Sequence, residues 1–423
     1  MGSLARSRGG RARPRLLGAL GFAALLCAAA LGGGQASARG AAPTAPIHWP
    51  FVRLELGLSD APGGAGRLAG IAPFGLRYQY LAGGVNTGGD WTHWNPNGTF
   101  VTRYIAESEA RHIVPVFSYY EIRQSEPGAA NVDEPSADLG NLNDVSTMRE
   151  YYLTLRTFYR RAAAASGPVV LQFEPDLFGY IEQRAAHDDA STVPAAVAST
   201  GIPALRGLPN TAVGFARAVL ALRDAYAPRV LVGYHISIWG TKRDIHLSHP
   251  SAVEVDRMAA AAAAFYRSLH ASFDVSFTEL TDRDAGYAQK VDGQGPGAWW
   301  KPVDFNHDMR FLRGYHARVA LPIVMWQIPL GNTVSPIVND TPYHYRDNKV
   351  QWLLGAGSAA HLRAFARAGG VALLFGGGQA TDTDAGEASG DGRPDDGGYF
   401  DARAREYYAA GPRPLPRAAT STR

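Results

Sequence analysis

Glu174 and Asp176 flank a proline where the apolar run of VVLQFEPDLFGY, Val169–Tyr180, comes to its end. Side chains alternate faces along a strand, so Gln172, Glu174 and Asp176 are expected on one side and Leu171, Phe173 and Pro175 on the other. A carboxylate in a partly dry, concave site can have its pKa moved for proton transfer. A second acidic stretch, SFTELTDRDAGY, supplies Glu279, Asp282 and Asp284. SYYEI adds Tyr119, Tyr120 and Glu121, while His235, Trp239, Trp326 and Gln327 lie at the ends of two further apolar runs. Trp91, Trp94, Trp299 and Trp300 fall between such runs. Aromatic faces pack against the C–H surfaces of sugar rings, and paired carboxylates serve as acid, base or nucleophile at a glycosidic bond. The catalytic candidates are therefore Glu174, Asp176, Glu279 and Asp282. The candidate substrate contacts are Tyr119, Tyr120, Glu121, His235, Trp239, Trp326, Gln327 and Trp94.

Each candidate also has a purely structural reading. Glu174 and Asp176 can be interior carboxylates paired with an arginine such as Arg53, which shares a run with Glu55. His235, Trp326 and Gln327 can be core residues. If Asp274, Ser276 and Thr278 face inward, alternation turns Glu279 outward unless its strand ends first. Asp382, Asp384 and Glu387 in D-T-D-A-G-E resemble the opening of an oxygen-ligand calcium loop, without the glutamate that closes the twelve-residue pattern. A solvated acidic loop is the expectation there. With no H-x-H, H-E-x-x-H or cysteine cluster, neither a metal nor another cofactor is expected.

The elements that must position these groups alternate in type. Strand candidates begin at Phe51, Arg77, His112, Val169, Arg229, Phe273, Leu321 and Gly370. Helical segments lie between them. Thr147 with Glu150 and Ser251 with Glu254 read as capping boxes, and Asn210 as a further cap. Eight strands alternating with helices imply parallel pairing and a closed (β/α)8 TIM-barrel-like domain with long loops. In such a barrel, functional groups collect where the strands end. A doubly wound sheet is the structural alternative, but GLSDAPGGAG after the first strand lacks the G-x-G-x-x-G spacing.

Residues 1–38 read as a cleavable secretory signal: five arginines, an apolar run from Leu16 to Leu31, then Ala36-Ser37-Ala38. The barrel domain is expected over 39–408 and a disordered tail over 409–423, rich in Pro, Arg and Ala. Loss of the five leader arginines takes the formal charge from +3 to −2, which favours neither nucleic acid nor an anionic membrane. Cys27 lies in the leader, so the mature chain has no disulfide. A secreted or extracytoplasmic protein with a carbohydrate partner is the expectation. Oligomeric state is not legible.

Phe173-Glu174-Pro175 is similar to the Asn-Glu-Pro that ends strand four in clan A glycoside hydrolases, where the Glu is the acid/base. Phe173 stands in place of the Asn, and Gln327 where that clan has its nucleophilic Glu on strand seven. Glu174-Pro175-Asp176-Leu177 resembles the E-P-D-S-L stretch of glycoside hydrolase family six, whose Asp is the catalytic acid. Other barrel glycosidases draw their carboxylates from strands four and six. Together these resemblances imply an exported glycoside hydrolase. The alternatives are a catalytically silent carbohydrate-binding barrel and a metal-dependent hydrolase.

Overall fold

Eight parallel strands close on themselves in chain order, each hydrogen-bonded to the next and the eighth to the first. The computed structural model describes residues 48–131 and 133–416. The strands are β1 (Glu55–Ser59), β2 (Leu76–Ala82), β3 (Val114–Tyr120), β4 (Val169–Phe173), β5 (Val230–Ile236), β6 (Val275–Glu279), β7 (Ile323–Ile328) and β8 (Gly370–Phe375). Six of the eight fall inside the segments expected from sequence, and β1 and β2 overrun theirs by one residue each, at Ser59 and Leu76. Covered by helices outside and by packed side chains within, these strands are almost wholly buried, which is why they read as apolar runs. The architecture is a (β/α)8 barrel.

Helices form the outer layer, including Val145–Ala162, Ala212–Tyr226, Ala252–Ser268 and Pro302–Val319. Aromatic rings fill the space between layers: Phe173 on β4 meets Tyr151, Phe178 and Phe215 at centroid distances of 6.3, 5.9 and 5.3 Å. The Ser251–Glu254 capping box is present. Thr147 is not a cap; Asp144 accepts from its N–H at 2.7 Å and starts that helix one turn earlier. Asn210 caps nothing and instead ties a loop, accepting from the N–H groups of Val197 and Ser199.

Buried charge at the rim is satisfied outside the lumen. Arg77 on β2 lies 2.9 Å from Asp60 and 3.1 Å from Glu107, with its guanidinium 3.8 Å from the Tyr104 ring centre. Arg53 pairs with Glu55, at 3.8 Å, and with neither Glu174 nor Asp176. Part of the expected disordered tail is ordered: Leu54 N–H donates to Arg413 O and Leu415 N–H to Val52 O, and Leu415 is buried. The backbone can pair there because the strip preceding β1 offers free amides and carbonyls. The leader, Cys27 and residues 417–423 lie outside the described residues. Among those described, no helix is long and apolar enough to cross a membrane.

The lumen is packed by matching small to large. Gly233 on β5 faces Phe277 on β6, and a Cβ at Gly233 would come within 2.3 Å of the Phe277 ring. Gly233→Ala is therefore expected to lower unfolding free energy by about 1–3 kcal/mol through overpacking. Gly70→Ala, in an exposed helix with nothing within 4 Å, should be neutral or slightly stabilising. Denaturant unfolding of the two variants measures the contrast, and equal midpoints would contradict this packing.

Candidate active site

Strand ends from β2 to β8 converge on a cleft of about 660 Å³. Its walls carry Tyr80 and Tyr120, Asp176 and Tyr180, Trp239, Glu279 and Asp282, Trp326 and Gln327, and Gln379. This is the carboxyl-end face, where parallel barrels expose backbone ends and long loops.

The corner after β4 separates its two carboxylates. Glu174 has φ 41° and Asp176 φ 71°, so strand alternation ends at Phe173. Glu174 N–H donates to Tyr119 O at 2.9 Å, and its Oε1 accepts from the Glu121 N–H at 3.2 Å. The side chain is 1% exposed and does not line the cleft. Burial pushes its carboxyl up to about 8. The left-handed turn thus tucks Glu174, expected at the rim, away from the cleft lining and against the Glu121 amide. Asp176 goes the other way, into the cleft at the head of the helix Leu177–Arg184. Burial, then the charge of Glu134, raises it to about 7.

Facing it is Glu279. Ser276 Oγ lies 3.3 Å from the Tyr315 hydroxyl on an outer helix, and Asp274 accepts from Arg223 on another at 2.7 Å. Asp274, Ser276 and Thr278 therefore point outward, and Phe277 and Glu279 point inward, as a catalytic Glu279 requires. Burial and the neighbouring charges of Asp176 and Asp282 hold the Glu279 carboxyl well above the ordinary range.

His235 completes the centre. Asp176, His235 and Glu279 each offer one side-chain atom, and these three atoms lie within 4.8 Å of one another. His235 is fully buried. Its Nδ1 lies 3.0 Å from Gln172 Nε2, and Gln172 Oε1 accepts from Ser118 Oγ at 2.7 Å. Among the described residues its Nε2 has no hydrogen-bond partner. Burial lowers its pKa to about 3, so the ring is neutral.

Other expected residues divide cleanly. Tyr120, Trp239, Trp326 and Gln327 line the cleft; Tyr120 donates to Glu134 at 2.6 Å, and Gln327 Nε2 donates to the Tyr80 hydroxyl. Trp326 packs edge-on to His235 with centroids 5.6 Å apart. Asp282 reaches the cleft but is gripped by Arg283 through two 2.7 Å contacts. Tyr119 and Glu121 are fully buried and do not line the cleft; Ser118 takes the inward face of β3, which turns Tyr119 outward onto Tyr151 and Phe158 of an outer helix. Trp94 sits off the cleft, packed on Phe100 at 5.1 Å and donating to Gly89 O. Asp284 is buried, accepting from the Gly331 and Thr383 amides. The calcium-loop candidates do not converge: Asp382 accepts from Gln379 N–H, Asp384 from Gly386 N–H and Glu387 from Gly390 N–H. Each braces a turn of its own. Sequence reasoning missed Glu134, Tyr180 and Asp244, which lie in loops or after them and carry no periodic signal.

No family model matches the chain, and no curated protein matches its sequence. Among solved structures it is similar to a modular endo-β-1,4-mannanase of glycoside hydrolase family 26 from Cellulomonas fimi. That match has 12% identity and a TM-score of 0.48 over 88% of this chain and 73% of that one. A β-glycosidase matches at 13% identity and TM-score 0.44, covering 84% and 87% of the two chains. A D-allulose 3-epimerase from Methylomonas sp. matches at 10% and 0.40, covering 86% and 99%.

The raised carboxyls make stability depend on pH. Glu174 and Glu182 stand near 8 and Asp284 near 7 in the fold, above their unfolded values. The folded state therefore binds more protons than the unfolded one, and stability is lost as pH rises through these folded values. His235, lowered in the fold, opposes this only below its unfolded value of 6.5. The melting temperature should thus fall between pH 6.5 and about 8.5. Glu174→Gln, neutral throughout, should make the fall shallower; an unchanged slope would contradict the burial of Glu174.

Proposed function

We propose that this chain is an exported glycoside hydrolase whose carboxylate pair is Asp176 and Glu279. The observation that carries the reading is the proximity of one oxygen from each, within 4.8 Å, in an open cleft at the barrel rim. Two carboxylates so close cannot both ionise readily, so the pair retains one proton near neutral pH. One carboxyl then protonates the leaving oxygen while the other, ionised, attacks the anomeric carbon. The close spacing fits the ~5–5.5 Å of retaining enzymes and leaves no room for the water that inversion needs. Both carboxyls are raised by burial and by neighbouring negative charge; we assign the acid/base role to Glu279 and the nucleophile to Asp176. The pair joins strands four and six, with Gln327 on strand seven left to bind.

The walls support a sugar polymer. Trp239 and Tyr180 pack with ring centroids 4.7 Å apart, forming an aromatic ridge. Both also line a second groove of about 770 Å³, together with Asp244 and Leu247, so the surface continues past the cleft. A silent binding barrel would keep these rings without a converging carboxylate pair.

Asp176→Asn and Glu279→Gln should each lower kcat roughly 10²–10⁴-fold on the glycan a panel assay identifies. Glu279→Gln should lose least on substrates with good aryl leaving groups, which need no protonation. Glu174→Gln should retain activity. Product anomers followed by NMR should show retention. Full activity in both cleft variants, or inverted product, would overturn the assignment.

A further inference from the structure

We infer that Asp176, His235 and Glu279 also form a binding site for one divalent cation of the Zn²⁺ type, whose occupancy competes with catalysis by the same two carboxylates. The competition rests on the function proposed above; the site itself does not. Three donor atoms from three different strand ends lie within 4.8 Å of one another, so a single ion between them needs only small side-chain movements to reach bonds of ~2.0–2.2 Å. Two carboxylates supply the charge that balances the ion.

The independent observation is His235 Nε2, a fully buried nitrogen without a partner. Buried polar atoms are nearly always paired, and this one belongs to the ring whose other nitrogen is already engaged by Gln172. The Gln172 carboxamide can present either end to that ring. When its oxygen accepts from Nδ1–H, the Nε2 lone pair is free for a metal, the arrangement in which a second-layer carbonyl orients a ligating imidazole. Ser118 Oγ serves the other end of the amide in both orientations. One imidazole with two carboxylates suits Zn²⁺ or Co²⁺ better than Ca²⁺ or Mg²⁺, which prefer all-oxygen shells. The remaining coordination positions face the cleft. Asp282 is held by Arg283 and takes no part.

Full-length protein freed of metal with EDTA and titrated with ZnSO₄ by calorimetry should bind one equivalent. Binding should weaken at least tenfold in His235→Gln and in Glu279→Gln, and stay unchanged in Glu174→Gln. Should a cleft variant fail to fold, Co²⁺ titration of the wild-type protein gives the same answer: visible absorption of a low-symmetry nitrogen–oxygen site is expected. No stoichiometric binding, no such absorption, or full affinity in both cleft variants overturns the site. Saturating Zn²⁺ should suppress hydrolysis and EDTA restore it. Hydrolysis that EDTA abolishes and Zn²⁺ restores overturns the competition and the proton-sharing mechanism together. Binding absent while hydrolysis persists overturns the cation site alone.

Discussion

Two left-handed residues around one proline decide which carboxylate meets the cleft. Glu174 precedes Pro175, a position where sterics already narrow the backbone, yet it holds φ 41°, and Asp176 follows at 71°. Such conformations cost of order 1–3 kcal/mol each in a residue other than glycine. They persist because the fold over-determines them: the Glu174 amide extends the β3–β4 ladder to Tyr119, and its carboxyl closes on the Glu121 amide. The buried glutamate is thus the anchor of the corner. The half-buried aspartate facing the cleft is what the corner delivers.

Charge is the second constraint, and it is unevenly distributed. Glu134, Asp176, Asp244, Glu279 and Asp282 all line the cleft, and the one arginine among the lining residues, Arg283, is already bound by Asp282 and Asp292. Carboxylates crowded into a low-dielectric recess without free cations must gain protons or positive partners. That demand explains the raised Asp176 and Glu279 without appeal to any one neighbour. It also brings Asp176 up to about 7, the range in which an acid/base group works.

The barrel was legible because strands covered on both faces must be apolar, and because helix signals separated them at regular intervals. The rim was legible only in part. Asp176, Glu279, Trp239, Trp326, Gln327 and Tyr120 sit where strand ends were expected to converge. Glu174, Tyr119, Glu121 and Trp94 do not, for local reasons that include a backbone turn at Glu174, the outward face of β3 at Tyr119 and packing of Trp94 on Phe100. The β6 parity was left open by the sequence because polar Asp274, Ser276 and Thr278 look like an interior polar row, whereas Arg223 and Tyr315 on outer helices meet Asp274 and Ser276 from outside. Alternation gives two faces; only the partners say which is inside. Glu134 and Asp244, supplied by loops and short helices, obey no period at all.

Gln172 links these constraints. Among the described residues its carboxamide is the one hydrogen-bond partner of the His235 ring, and burial keeps that ring neutral. With the amide N–H toward Nδ1, the imidazole must carry its proton on Nε2 and becomes a donor toward the carboxylates, which favours their ionised form. With the amide oxygen toward Nδ1, Nε2 becomes a lone pair beside two acids, an arrangement stable only when a proton or a cation lies between. The orientation of one buried amide is therefore coupled to what the carboxylate pair holds. A neutral, rigidly packed histidine transmits that choice because it cannot absorb it by titrating.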